Sequence, residues 1–175
     1  MNEIRMPLSL MKYIPIAVVI IFALSLSTAF TKPTDQEIDA VFTAAESVFK
    51  AMKERNYPAI WQSLSAKTKK STIEAVYKSS RKANIDLERE KIATDFVAGG
   101  ELAKAYWEGY LGVFDPKMIL EDSKWDMGAI KKDSAEINIL YKKSKKPAVL
   151  QLYREDNAWK VGMEETFGTR NWLPF

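Results

Sequence analysis

Residues 134–163 read SAEINILYKKSKKPAVLQLYREDNAWKVGM, and their period decides the fold. Ala135, Ile137, Ile139 and Tyr141 alternate with Glu136, Asn138 and Lys142. Ala148, Leu150 and Leu152 alternate with Val149, Gln151 and Tyr153, and Trp159, Val161 and Met163 with Lys160, Gly162 and Glu164. Successive side chains of a strand point to opposite faces, so a period of two marks half-buried strands. A similar run lies upstream, with Trp125, Met127 and Ala129 against Lys124, Asp126 and Gly128. Four such strands with short turns predict an antiparallel meander.

The expected registers agree with one another. A two-residue turn at Asp156-Asn157 pairs Leu152 with Val161, Arg154 with Trp159 and Leu150 with Met163. A two-residue turn at Ser144-Lys145 pairs Tyr141 with Ala148 and Ile139 with Leu150, and a turn at 131–133 pairs Met127 with Ile137. All three keep the same apolar set on one face, which a one-residue slip would turn to water. The other face carries Ile130, Leu140, Val149 and Tyr153 among polar residues, ordinary surface or a homodimer interface.

Upstream the period is helical. Thr34 and Glu37 have the spacing of a capping box, and Ile38, Val41, Phe42, Ala45, Phe49 and Met52 follow at helical spacing, predicting a helix over 35–55. Its wide aromatic stripe calls for a broad partner, so it is expected across the core face of the sheet. Pro58 suits the first turn of a short second helix with Ile60, Trp61 and Leu64. Ser65 caps a third over 67–83, whose six basic residues are a solvated face or a surface for an anionic membrane or ligand. Asp86 is expected to cap a fourth, ended by Gly99-Gly100, and a fifth carries Leu102, Ala105, Tyr106 and Tyr110. Asp115-Pro116 closes the helical half, with room for one more short turn of helix. The fold class is therefore α+β, N-terminal helices packed on a four-stranded antiparallel meander.

Before this domain, residues 14–30 read IPIAVVIIFALSLSTAF without a charge, entered through Arg5 and Lys12. A basic start, an apolar stretch and the small residues Ser27 and Ala29 make an export signal cleaved after Ala29; Met11 would serve as an alternative start. The alternative is a retained membrane anchor. Either places the rest of the chain outside the cytoplasm, periplasmic or otherwise extracytoplasmic. Residues 1–29 are thus a signal peptide or membrane anchor, and 30–175 a single domain.

Composition excludes several chemistries. The 175 residues contain no cysteine and no histidine. Thiol catalysis, Ser-His-Asp sites, disulfides and histidine-built or cysteine-built metal sites are impossible, and no cofactor or metal is expected. The net charge of +3 is mild, and nucleic acid is not an expected partner.

The helix end FKAMKERNYPAIWQSLS and the closing REDNAWKVGMEETF carry a resemblance. Over residues 34–166 the chain resembles the nuclear-transport-factor-2-like superfamily, in particular its exported bacterial branches of uncharacterised or lumazine-binding-like type. The resemblance implies a cone-like α+β fold, helices over a bent sheet around a pocket. The chain departs from the family in one respect: residues 67–112 read as helical where the family has a strand or hairpin between its early helices.

The candidate pocket residues are Tyr106, Trp107, Tyr110, Trp125, Arg154, Trp159 and Glu165. Tyr106, Trp107 and Tyr110 form an aromatic cluster, either core or a wall for ligand stacking. Arg154 and Glu165 fall near the ends of the core face, at the rim or at a pocket mouth, with the Arg154 guanidinium able to stack on Trp159. No catalytic residue is assigned. The expected function is an exported, non-enzymatic envelope domain that binds a small apolar ligand or a partner protein. The alternatives are an acid–base enzyme built on carboxylate and tyrosine, with Asp95 or Asp126 as base, and a passive domain tethered to the membrane through residues 14–30.

Overall fold

A computed structural model describes residues 33–167. The expected signal or anchor at residues 1–29 lies outside the described residues, and no described helix is long and apolar enough to cross a membrane. Among the described residues, six helices precede the sheet: α1 (Asp35–Lys53), α2 (Tyr57–Ser63), α3 (Ala66–Lys82), α4 (Arg89–Ala98), α5 (Glu101–Leu111) and α6 (Pro116–Leu120). The strands β1 (Ser123–Ile130), β2 (Ser134–Tyr141), β3 (Ala148–Glu155) and β4 (Ala158–Gly162) pair antiparallel in the order β1-β2-β3-β4. A short helix, α7 (Met163–Phe167), follows. The fold is α+β, with residues 67–111 helical apart from two short links.

Helix α1 begins as its sequence dictates. Thr34 Oγ1 accepts from Glu37 N–H at 3.2 Å, but the Glu37 carboxylate pairs with Arg154 of β3 instead of closing a capping box. Val41, Ala45, Val48, Phe49 and Met52 are buried. The helix packs on β4, and its Phe42 and Phe49 meet Trp125 of β1. It thereby spans the core face of the sheet.

Three helices end in the same way. Arg55, Asn84 and Gly99 follow α1, α3 and α4 with φ of 56°, 56° and 69°. In each, the next residue's N–H reaches back five residues: Asn56 to Ala51 C=O at 2.9 Å, Ile85 to Ser80 at 2.8 Å and Gly100 to Asp95 at 2.9 Å. This is the Schellman stop, which favours glycine at the left-handed position. Only one of the three has it. A side chain at Gly99 would also strike the Pro58 ring at 2.6 Å.

The sheet keeps the expected core face with three corrections. Between β3 and β4 the register is as expected, Leu152 facing Val161 and Arg154 facing Trp159 around a turn in which Asp156 and Asn157 both have positive φ. Between β2 and β3 it differs by two residues, Ile137 facing Leu150 and Ile139 facing Ala148. The expected turn would have placed Pro147 inside the ladder, where it has no N–H to give. A two-residue shift leaves the faces unchanged.

In β1, Met127 faces Ile137 as expected, but a bulge before Ile130 exposes Ala129 and turns Ile130 inward to face Ala135. Gly128 permits this, since a Cβ there would lie 2.9 Å from Glu136 Cβ. In the third correction β4 stops at Gly162, so Met163 and Glu165 belong to α7 and not to a strand. Thr166 Oγ1 replaces the missing strand residue: it accepts from Gln151 N–H at 2.9 Å and donates to Gly162 C=O at 2.6 Å. The fourth helix also starts later than expected, at Arg89, because Asp86 pairs with Arg81 at 2.9 Å instead of capping.

Candidate functional site

The expected aromatic wall is part of a longer chain of rings. Trp61 meets Phe96 at 4.8 Å between centroids, and Phe96 meets Tyr106 at 5.5 Å. Tyr106, Trp107, Tyr110 and Phe114 continue at 5.1, 5.6 and 5.2 Å. Phe114 passes to Phe49, Phe49 to Trp125 and Trp125 to Phe42. Tilted and edge-on pairs dominate, as ring quadrupoles prefer. Phe49 and Phe96 are fully buried and Trp107 is 2% exposed, so rings run from the contact of α1 with the sheet into the contacts among α2, α4 and α5.

The seven candidate residues separate into four places. Tyr106, Trp107 and Tyr110 sit together on α5. The Trp107 indole N–H is buried without a hydrogen-bond acceptor among the described residues. Trp125 is half-buried on β1, its Nε1–H donating to Ile119 C=O at 2.9 Å. Arg154 lies over Trp159, its guanidinium carbon 4.6 Å from the ring centroid, at the exposed rim beside Glu37. Glu165 sits on α7. These residues line none of the three concavities described below. The two candidate bases also part company. Asp95 accepts from Ala103 N–H at 2.8 Å and holds the start of α5, whereas Asp126 is exposed on β1.

Glu165 centres a polar cluster that the sequence reading did not assemble. Its carboxylate accepts from Ser65 Oγ at 3.0 Å and from Thr68 Oγ1 at 2.9 Å. Thr68 Oγ1 in turn accepts from Glu164 N–H at 3.1 Å. Both hydroxyl residues are buried at the start of α3, as is Thr72 one turn on. Glu155 completes the junction, both its oxygens 3.0 Å from Ala66 N. Tyr106 approaches from α5: burial pushes its hydroxyl pKa up, a hydrogen bond with Thr72 opposes the shift and the charge of Glu164 adds to it. The cluster thus ties α3, α5 and the end of the sheet together. Its signal was the i, i+4 spacing of Thr68 and Thr72, hydroxyls repeating on one helix face.

Concavities open on the helical side. One of about 500 Å³ runs between α3 and α4, lined by Ala66, Lys69, Lys70, Ile73, Glu74 and Arg89 among others. Arg89 holds it in shape, paired with Glu74 and lying 3.6 Å over the Tyr77 ring. The hydrogen bond from Arg89 lowers the Glu74 carboxyl pKa. Lys69 is pushed down by burial and by the charge of Lys160. Two further concavities, of about 440 and 180 Å³, lie along α4 and between the ends of α1 and α5.

Charge is distributed unevenly. Residues 33–167 carry 22 Lys and Arg against 22 Asp and Glu, yet α3 alone carries six basic residues against Glu74. Lys67, Lys70, Lys78 and Lys82 are exposed and make no ion pair among the described residues. Among those residues no cluster of three or more Asp or Glu is placed to hold a metal ion. Comparison of the chain with protein-family models, curated proteins and solved structures finds no match.

Proposed function

We propose that this chain is an exported domain that works by binding an acidic protein partner, with α3 and the α3–α4 groove as the working surface. One observation carries the reading. The space over the sheet, which the family resemblance reserves for a small apolar ligand, holds Phe49 packed on Trp125 and Phe114, and Trp107 of the candidate wall is itself buried. Binding then falls to the outside, where α3 presents a run of unpaired lysines beside a half-apolar groove. Such a surface suits an acidic partner, because complementary charge speeds encounter and fixes orientation. The apolar stretch at 14–30 supplies export, and the envelope is where the partner is sought.

The test is cross-linking of the full-length chain in its own envelope, followed by native mass spectrometry. The expected result is a protein adduct that Lys70→Glu with Lys78→Glu abolishes. A small molecule retained by the unmodified chain, with no protein adduct, would overturn the reading in favour of a ligand carrier. Intact residues 1–29 in the recovered chain would show a membrane-held form, and a new N-terminus at Phe30 a released one.

A further inference from the structure

The sheet treats its two edges differently. Outside β4 lies the turn between α2 and α3. Leu64 bridges to Val161 in parallel, and Ser65 N–H donates to Val161 C=O at 2.9 Å. Lys160 Nζ fastens the same turn, donating to Gln62 C=O at 2.8 Å. Outside β1, among the described residues, nothing pairs. An open edge is a template for another strand.

The open edge has a definite pattern. From Ser123 to Met127, β1 keeps regular register with β2, and the bulge comes only afterwards. Lys142 N–H donates to Asp122 C=O at 3.0 Å, which sets the alternation. The peptide groups of Lys124 and Asp126 face β2, and those of Ser123, Trp125 and Met127 face outward. Lys124 and Asp126 themselves stand exposed on the outer face. Opposite them on β2 are Leu140 and Asn138, so neither charge is answered within the sheet. On the inner face, Trp125 and Met127 are only half-buried, whereas Ala135, Ile137 and Ile139 of β2 are buried.

We infer that β1 pairs antiparallel with β1 of a second copy of this chain, about a twofold axis at Trp125. In that register the outward peptide groups of Ser123, Trp125 and Met127 meet those of Met127, Trp125 and Ser123 in the second copy and complete a ladder. Lys124 falls opposite the second copy's Asp126, and Asp126 opposite its Lys124. These are the non-hydrogen-bonded pairs, whose Cα atoms approach to about 4.5 Å. Sliding one copy by two residues either way sets Lys124 against Lys124 or Asp126 against Asp126. Charge therefore selects the register. A twofold interface must be self-complementary, and opposite charges two residues apart on one face satisfy that requirement. The two half-buried Trp125 rings meet beside the axis and cover one another. This surface is separate from α3 and does not depend on the proposed partner.

Sedimentation of the full-length chain in detergent micelles tests it, with dissociation constants taken from a dilution series. The wild-type chain is expected to be a dimer. Lys124→Asp alone and Asp126→Lys alone should each weaken it about tenfold or more, and the two together should restore it to within about threefold. The chain has no cysteine, which permits a second measurement. A mixture of Lys124→Cys and Asp126→Cys chains should form an intermolecular disulfide, and neither variant alone should. A monomer at every concentration, a dimer indifferent to both reversals, or equal cross-linking of the unmixed variants would each overturn the inference.

Discussion

Helices α1 and α3 are nearly equal in length, 19 and 17 residues, and are held by different physics. Helix α1 buries Val41, Ala45, Val48, Phe49, Ala51 and Met52. Helix α3 buries Thr68, Thr72, Ser79 and Ser80, with Val76 as its one buried aliphatic residue. The first is fixed by non-directional apolar area and tolerates small shifts. The second is fixed by directional hydroxyl–carboxylate bonds, whose worth depends on every partner being present. A helix rich in lysine can therefore be docked firmly while its outer face stays free for charge.

The largest test of this contrast is Phe49→Ala. Removing that buried ring should cost about 3–5 kcal/mol in urea melts. A loss below about 1 kcal/mol would mean that α1 is peripheral. Thr68→Val keeps the shape of the side chain and deletes the hydroxyl that serves Glu165 and Glu164 N–H. It should cost about 1–3 kcal/mol, the penalty for unpaired buried polar groups. A neutral or stabilising result would show that α3 packs as α1 does.

Alkali should loosen the α3 side. Burial raises the Tyr106 pKa, so its stabilising share is complete below the unfolded value of about 10 and is lost as pH rises through the folded value. Urea midpoints should fall above about pH 10, and Tyr106→Phe should flatten part of that fall. Tyr153 near α7, whose pKa is raised by burial, then by Glu165 and Glu136, contributes to the remainder, as does Lys142, whose pKa the hydrogen bond with Asp122 raises.

Smaller effects belong to the C-terminal end of α1. Arg55→Gly relieves a left-handed arginine and should add about 0.5–1 kcal/mol, visible as a raised Tm. Lys53→Ala removes an exposed 2.7 Å pair with Glu121 and should cost about 0.5 kcal/mol or less. Equal losses from Lys53→Ala and Phe49→Ala would break the comparison from the other side.

Much of this fold was legible because burial imposes a period. The alternation from Ala135 to Val161 gave the core face correctly even where a turn was misplaced, since a shift of two preserves it. The wide stripe of α1 likewise identified its partner. What escaped depends on single atoms. The bulge after Met127 needs Gly128 against Glu136, and the stop at Gly162 needs the Thr166 hydroxyl. Neither leaves a repeat in the sequence.

The candidate site was less legible for the same reason. Spacing placed Tyr106, Trp107 and Tyr110 together on one helix, but could not show that Phe96, Phe114 and Phe49 would fill the space before them. The alternation predicts Glu165 as an ionisable group on the core face of a strand. It lies instead on α7, where two hydroxyls from 97 and 100 residues earlier hold it.

That long reach dictates an order of events. A chain made from its N-terminus presents the lysines of α3 long before Glu155, Val161, Glu164 and Glu165 exist to seat the helix. Until Glu155, β4 and α7 are made, the turn at Leu64 and Ser65 has no strand beside it and Thr68 has no carboxylate to meet. The seating of α3 therefore waits for β4 and α7. For the export proposed above, the late position of Glu155 and Glu165 would keep α3 unseated while the chain is threaded.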